Sequence, residues 1–230
     1  HEVVILCVEN SPLHQRALQE SLSVILIPRH RKYYDFKAGK NLANIISAEN
    51  ISHVMIRDNR DVSVSAIAKR HAKNSPFHLS YFMEMQLGVK KTNLLHTLRF
   101  RKIDLWSCPL NWLKSQVETM TKMDPSKVVV IPSGLNLSHF QTEISQAEAR
   151  STLELPADKK ILGMIGRFDP AKGQLLLLEA LKSIQDPNVC VCLLGEPTRN
   201  EGSEYFEQIK SIIKENNLGN RVFIRPFRDD

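Results

Sequence analysis

The segment GMIGRFDPAKGQLLLLEAL, from Gly163 to Leu181, sets Arg167 and Lys172 around a turn between an apolar run and a leucine-rich run. An arginine offers a planar fork of donors and a lysine a mobile point charge, a pairing suited to two neighbouring phosphates. Asp169-Pro170 predicts a turn, and Gly173 predicts close approach of the chain where a helix begins. The unpaired N–H groups and positive dipole end of such a helix favour a negative charge. By spacing alone, the same residues also fit a surface turn carrying two solvated cations.

Two familiar phosphate loops do not fit. A P-loop needs Gly-Lys followed by Ser or Thr, whereas here Lys172 precedes Gly173 and Gln174 follows. The glycines at 163, 166 and 173 also lack the spacing of a dinucleotide fingerprint. Two further apolar runs end in small-residue turns, VVVIPSG at Ser133-Gly134 and VCLLGEP at Gly195-Glu196-Pro197. Each alone is an ordinary turn. Three such turns over two α/β series describe a cleft between domains, and ligands of open α/β sheets lie beyond the strands' carboxyl ends. Arg57, Asp58 and Asn59 follow the run HVMI at another such edge.

The elements that must position these residues alternate along the chain. EVVILCV, SVILIP, HVMIR, FHLSYFM, DLWSC and KVVVIPSG read as strands, with helical patterns in KNLANIISAEN, SVSAIAKRHAKN and LNWLKSQVETMT. Continuously apolar strands predict a parallel sheet covered by helices on both faces. The pattern pauses after IPSGLNLSHF, and Ser145 and Glu148 have capping-box spacing for a short helix. A second series follows: KILGMIG, QLLLLEALKSI, NVCVCLLG, EYFEQIKSIIKENN and RVFIRPF. Its first helix is expected to bury Leu177, Leu181 and Ile184 on one face, with the consecutive leucines covering a wide arc. These patterns predict two domains, 1–140 and 141–230.

The 230 residues are 42% hydrophobic and 24% charged, and no apolar run approaches the ~18 residues of a membrane span. The formal charge is +6 and uneven: residues 1–140 hold 19 Lys and Arg against 11 Asp and Glu, while 141–230 hold 12 against 14. A basic first half favours anionic partners. Its stretches are Arg29 to Lys32, Lys90-Lys91 and Arg99 to Lys102; the aromatic interleaving of an RNA-binding sheet is missing. Cys7, Cys108, Cys190 and Cys192 sit in strand-like runs, form no CxxC pair and are expected to be reduced and buried. No histidine pair has zinc-ligand spacing. The chain starts at His1 directly in a strand, and its second series stops after three strands, so sequence is expected to be missing at both ends.

Residues 127–230 resemble glycosyltransferase family four, the retaining nucleotide-sugar enzymes of GT-B fold. The resemblance is carried by KVVVIPSGLNLSHF, KKILGMIGRFDPAKGQLLLLEAL, VCVCLLGEP and NNLGNRVFIRPFRDD, in the family's order and spacing. Residues 1–126 fit only by pattern. The resemblance implies two Rossmann-like doubly wound domains facing a cleft, an acceptor-side one and a donor-binding one, the second incomplete. It assigns Arg167 and Lys172 to the donor diphosphate, where they would stabilise charge on the leaving group without a metal. It puts Gly166, Gly134, Gly195 and Glu196 at the donor, and Arg225 and Pro226, with Phe227, near the base.

The sequence departs from the family at Ser133 and Asn136, where an asparagine and an aspartate are usual. The glycine-rich loop expected before residue 1 and the paired glutamates expected after Asp230 are outside this sequence. No clear counterpart of the family's sugar-side histidine stands in FHLSYFMEMQLG; His78 reads as structural. Arg57, Asn59 and Glu84 remain acceptor-side candidates. The implied reaction moves a sugar from a UDP-, GDP- or ADP-sugar to a glycan or lipid-linked acceptor in surface polysaccharide or glycoconjugate synthesis, with no further cofactor. The implied place is the cytoplasm, with an anionic membrane surface as a candidate partner of the basic half and no nucleic acid. The alternatives are a non-catalytic nucleotide-binding or assembly module of the same fold and a nucleotide-sugar epimerase.

Overall fold

The computed structural model describes residues 2–141, 143–197 and 203–228. The chain divides into two compact units, His1–Leu135 and Asn136–Asp230. Strands and helices alternate in both, and every strand pair is parallel.

The first unit opens with β1 (Ile5–Cys7), α1 (Pro12–Gln19) and β2 (Val24–Leu26), where β1 and β2 form a sheet of their own. Then come α2 (Phe36–Ala48), β3 (His53–Ile56), α3 (Asp61–His71), β4 (His78–Phe82), α4 (Leu94–Phe100), β5 (Leu105–Cys108), α5 (Asn111–Met120) and β6 (Val128–Val130). The second sheet runs β3-β4-β5-β6. Register pairs Ile56 with Tyr81, Tyr81 with Trp106 and Trp106 with Val128, so these side chains share one face. That face packs on Ile46, Val62, Phe100, Leu113 and Val117 to form the core. The opposite face exposes His53, Met55 and His78.

Helix starts follow local chemistry. Ser11 caps α1 by accepting from the His14 N–H at 3.2 Å, with Pro12 in the first turn. Asn93 caps α4 through the His96 N–H at 2.9 Å. Gly39 lets α2 press on α3, since a Cβ there would lie 2.4 Å from Ile67 Cγ2. Helices α1 and α4 are short, eight and seven residues, and were not among the helical patterns expected from the sequence.

The second unit contains α6 (Gln146–Thr152), β7 (Lys160–Ile165), α7 (Gln174–Ser183), β8 (Val189–Leu194), α8 (Ser203–Glu215) and β9 (Val222–Arg225). The predicted capping box opens α6: the Ser145 hydroxyl accepts from the Glu148 N–H, and the Glu148 carboxylate accepts from the Ser145 N–H. The sheet order is β7-β8-β9, and central β8 buries Cys190, Val191, Cys192 and Leu193 consecutively, as a strand covered on both faces must. All four cysteines of the chain are free and buried.

Helix α7 buries Leu181 and packs Leu177 on the core as expected, with the arc extended to Gln174 and Leu178. Its buried residues are Gln174, Leu178 and Leu181, while Leu176 is 76% exposed and Leu177 and Ile184 are only half-buried. At its first residue the buried Gln174 amide is tied into the preceding loop.

Candidate functional site

The loop after β7 is built mainly by backbone. Gly166 takes φ 154° and its N–H donates to the Leu194 carbonyl at 2.9 Å. Gly195 also takes φ 154°, and a Cβ on it would lie 2.0 Å from the Gly166 carbonyl oxygen. The close approach expected at Gly173 is therefore made by Gly195 against Gly166. Gly173 has open space around it and is required instead for φ 82°, the left-handed turn into α7.

Further bonds hold the loop in place. The Phe168 N–H donates to the Glu196 carbonyl at 2.9 Å, and Gly195 N–H to the Arg225 carbonyl at 2.9 Å. Asp169 accepts from the Ala171 N–H at 2.8 Å, nucleating a 3-10 turn over Pro170–Lys172. Phe168 is buried and stacks on Phe206 at 4.9 Å between ring centroids. The backbone of Gly166, Gly195, Glu196 and Arg225 thus meets at the carboxyl ends of three parallel strands. Arg167 and Lys172 project from this scaffold with exposed side chains, and among the described residues neither has an ion-pair partner.

Three residues that the sequence reading passed over fix this loop. Gln174, 1% exposed, donates through Nε2 to the Arg167 carbonyl at 2.8 Å and accepts from the Tyr205 hydroxyl at 3.4 Å. That hydroxyl also accepts from the Leu175 N–H at 3.3 Å, satisfying one of the orphan donors of α7. A polar residue leading a leucine run was the one available signal for Gln174; Tyr205 and Phe206 lie 30 residues further on and gave none.

Other candidates fall differently. The Arg225 guanidinium is occupied by backbone: Nε donates to the Leu153 carbonyl at 2.5 Å and Nη2 to that of Glu154 at 2.8 Å. It clamps the end of α6 to β9. Pro226 follows it, exposed, and Gly134 lies in an exposed loop of the first unit. His78 begins β4 exposed, with its ring 5.7 Å from that of His53.

In the first unit, Arg57, Asn59 and Glu84 line one cavity of about 310 Å³ at the carboxyl ends of β3 and β4, with Trp106 of β5 in its lining. Arg57 pairs with Glu84 across its mouth. Asp58 accepts from the Arg60 N–H and Nε, both at 2.8 Å, and the Arg60 guanidinium holds its carboxyl below the usual range. Behind them stand Tyr81, Lys91, Arg99, Phe100 and Trp106. Burial, helped by the Asp58 charge, pushes the Tyr81 hydroxyl up to about 12. Arg99 opens the basic stretch Arg99 to Lys102, whose charge alone predicts a solvated side chain. It is 7% exposed instead, because α4 turns it inward with Thr97 and Phe100, while Arg101 and Lys102 stay at the surface.

Comparison with known proteins bears on the second unit first. Residues 145–230 match the family model of glycosyl transferases group 1. That match lies within the second unit, Asn136–Asp230. Curated proteins similar to part of this chain include D-inositol 3-phosphate glycosyltransferases. That of Kineococcus radiotolerans is 30% identical over 109 residues, 45% of this chain and 25% of the relative. That of Streptomyces scabiei is 40% identical over 109 residues, 45% of this chain and 24% of the relative. The matched part thus spans about a quarter of the length of these curated relatives.

Solved structures extend the likeness in fold to the whole chain. A Rickettsia africae glycosyltransferase superposes with a TM-score of 0.83 at 20% identity, over 100% of this chain and 61% of that one. Anabaena HepE, solved with UDP and glucose, gives 0.77 at 20% identity over 98% and 62%. The fold is α/β with parallel sheets, as in these GT-B glycosyltransferases. Among the described residues, no helix is long and apolar enough to cross a membrane.

Proposed function

We propose that this protein is a retaining glycosyltransferase of family-four type that moves a sugar from a nucleoside-diphosphate donor to a glycan or lipid-linked acceptor. The observation that carries this reading is the loop after β7. Arg167 and Lys172 stand exposed and unpaired among the described residues, on a scaffold of glycine backbone at three strand ends. Such cations would bind the diphosphate and stabilise the charge that grows on it as the sugar departs. Gly166, Gly195 and Glu196 would let the donor approach the backbone closely. The Arg225 side chain, held by the carbonyls of Leu153 and Glu154, would act on the donor only by supporting this scaffold.

The domain match supports a glycosyltransferase, and HepE, a structure of like fold, binds UDP. Arg57, Asn59 and Glu84 would serve the acceptor. Exposed Arg29, Arg31, Lys32, Lys90, Arg101 and Lys102 would attract an anionic membrane surface carrying a lipid-linked acceptor for polysaccharide synthesis.

Calorimetric titration with UDP tests the donor assignment. Arg167→Ala and Lys172→Ala should each weaken affinity by about 1–3 kcal/mol, roughly 5- to 150-fold, the scale of charged hydrogen bonds. Unchanged affinity in both variants would sink it. Release of nucleoside diphosphate that depends on an added acceptor separates sugar transfer from epimerase or purely binding behaviour.

A further inference from the structure

The segment joining β2 to α2, residues 27–35, carries the exposed cations Arg29, Arg31 and Lys32. Among the described residues, no backbone–backbone hydrogen bond reaches residues 28–34, so side chains must hold the segment. Two of them reach other elements. Tyr33 packs on α4, with the Arg99 guanidinium carbon 4.9 Å from its ring centroid and the His96 ring edge-on at 6.2 Å. His30 crosses to the first residue of α3, where its Nε2 lies 3.0 Å from Asp61 Oδ1. Its other ring nitrogen, Nδ1, lies 3.1 Å from the Arg31 carbonyl oxygen.

These two contacts fix a proton count. A carbonyl oxygen only accepts, so Nδ1 must carry a hydrogen. A carboxylate also only accepts, so either Nε2 carries a second hydrogen or Asp61 is protonated and donates to Nε2. In both forms the pair holds one proton more than a neutral imidazole beside a carboxylate. Without that proton, one ring nitrogen turns a lone pair towards an oxygen and its bond is lost. The His30 side chain is only 13% exposed, which leaves little room for water to replace the bond. Burial, the strongest influence on Asp61, pushes its carboxyl up and so favours keeping the proton within the pair. The other charged groups nearby are already engaged. Asp58 and Arg60, before α3, pair at 2.6 Å, with Lys32 acting on Asp58 from the segment. Asp35 accepts from the Arg31 and Ala38 N–H groups, both at 3.0 Å.

We propose that the proton shared by His30 and Asp61 is a pH-sensitive latch fastening the β2–α2 segment to α3. While the proton is held, the segment keeps its three cations in place and Tyr33 against Arg99. As pH rises and the proton leaves, the latch opens. Its sign is opposite to that of a hydrogen-bonded carboxylate, whose bond is lost on acidification. With both ring nitrogens engaged, His30 positions the segment and is not free to take a proton from a substrate. The latch does not rest on the glycosyltransferase reading above.

The test follows the 15N-labelled chain by NMR between about pH 5.5 and 8.5, the range in which histidines change charge. The protonation of the His30 ring and the backbone order parameters of residues 29–34 are read together. Loss of the shared proton should coincide with a fall in those order parameters from about 0.85 to below about 0.6, the change from rigid to flexible backbone. Asp61→Asn offers an amide N–H to Nε2 and needs no shared proton, so its segment should stay ordered across the whole range. His30→Ala should leave the segment loose throughout. Order that does not change with pH in the unaltered chain, or that changes without loss of the His30 proton, would overturn the proposal. So would an undiminished pH response in Asp61→Asn or an ordered segment in His30→Ala. Should His30→Ala fail to fold, the unaltered chain and Asp61→Asn still decide.

Discussion

The two candidate sites are made of different material. The loop after β7 is formed mainly by backbone: two glycines in contact, a left-handed Gly173, and main-chain bonds linking Phe168, Gly195 and Arg225. The cavity of the first unit is formed by side chains from β3, β4, α4, β5 and the segment around Lys91, and its character is set by which charges find partners. A backbone site tolerates little change at its glycines and holds its cations outward. A side-chain site instead depends on burial, which sharpens electrostatics and makes unmatched donors expensive.

The largest expected effect tests the first half of that contrast. Gly195→Ala would force a Cβ to 2.0 Å from the Gly166 carbonyl oxygen at an unfavourable φ, so one of the two backbones must move. It should destabilise the second unit by about 3 kcal/mol or more, from overpacking and backbone strain together. Hydrogen exchange across β8 would report it, with UDP affinity falling and the Trp106 indole resonance of the first unit unmoved. Normal protection of β8 would break the comparison.

A smaller effect separates the loop's scaffold from its cations. Gln174→Leu strips the Arg167 carbonyl and Tyr205 hydroxyl of a buried partner and should cost about 1–3 kcal/mol. Chemical denaturation should show this loss together with weakened UDP binding, although both cations remain. Unchanged UDP affinity at reduced stability would restrict Gln174 to the core.

The smallest concerns acid. Burial pushes the Asp104 carboxyl up, but the Leu79 N–H at 2.8 Å and the Lys69 ammonium together outweigh it and hold its pKa below the usual value. Its contribution is therefore complete above about pH 4, the ordinary carboxylate range, and is lost as pH falls through the lower folded value. Tryptophan fluorescence during acid titration should show the first unit loosening below about pH 4. Asp104→Asn should flatten that dependence.

How much of this was legible beforehand follows from the same contrast. Each described strand of the three sheets was visible as a short apolar run, because buried parallel strands need little else. The Arg167–Lys172 loop was visible because its residues are contiguous and its glycine and proline signals local. Its true point of contact was not, since Gly195 meets Gly166 only when β8 pairs with β7. The α7 seam was legible only as a wide arc: four leucines in a row leave rotation open, and the structure places Gln174, Leu178 and Leu181 at its centre with Leu177 beside them.

Arg57, Asn59 and Glu84 could be named one at a time from strand ends, but nothing in their spacing joined them to Lys91, Arg99 and Trp106. By itself the sequence determined the strands, their parallel α/β order and a local turn bearing two cations, because each depends on neighbours a few residues apart. Only the tertiary structure decided which glycines touch, that the Arg225 guanidinium serves the backbone, and that Arg99 is buried rather than solvated. Those outcomes depend on pairing register and burial, which bring together groups tens of residues apart.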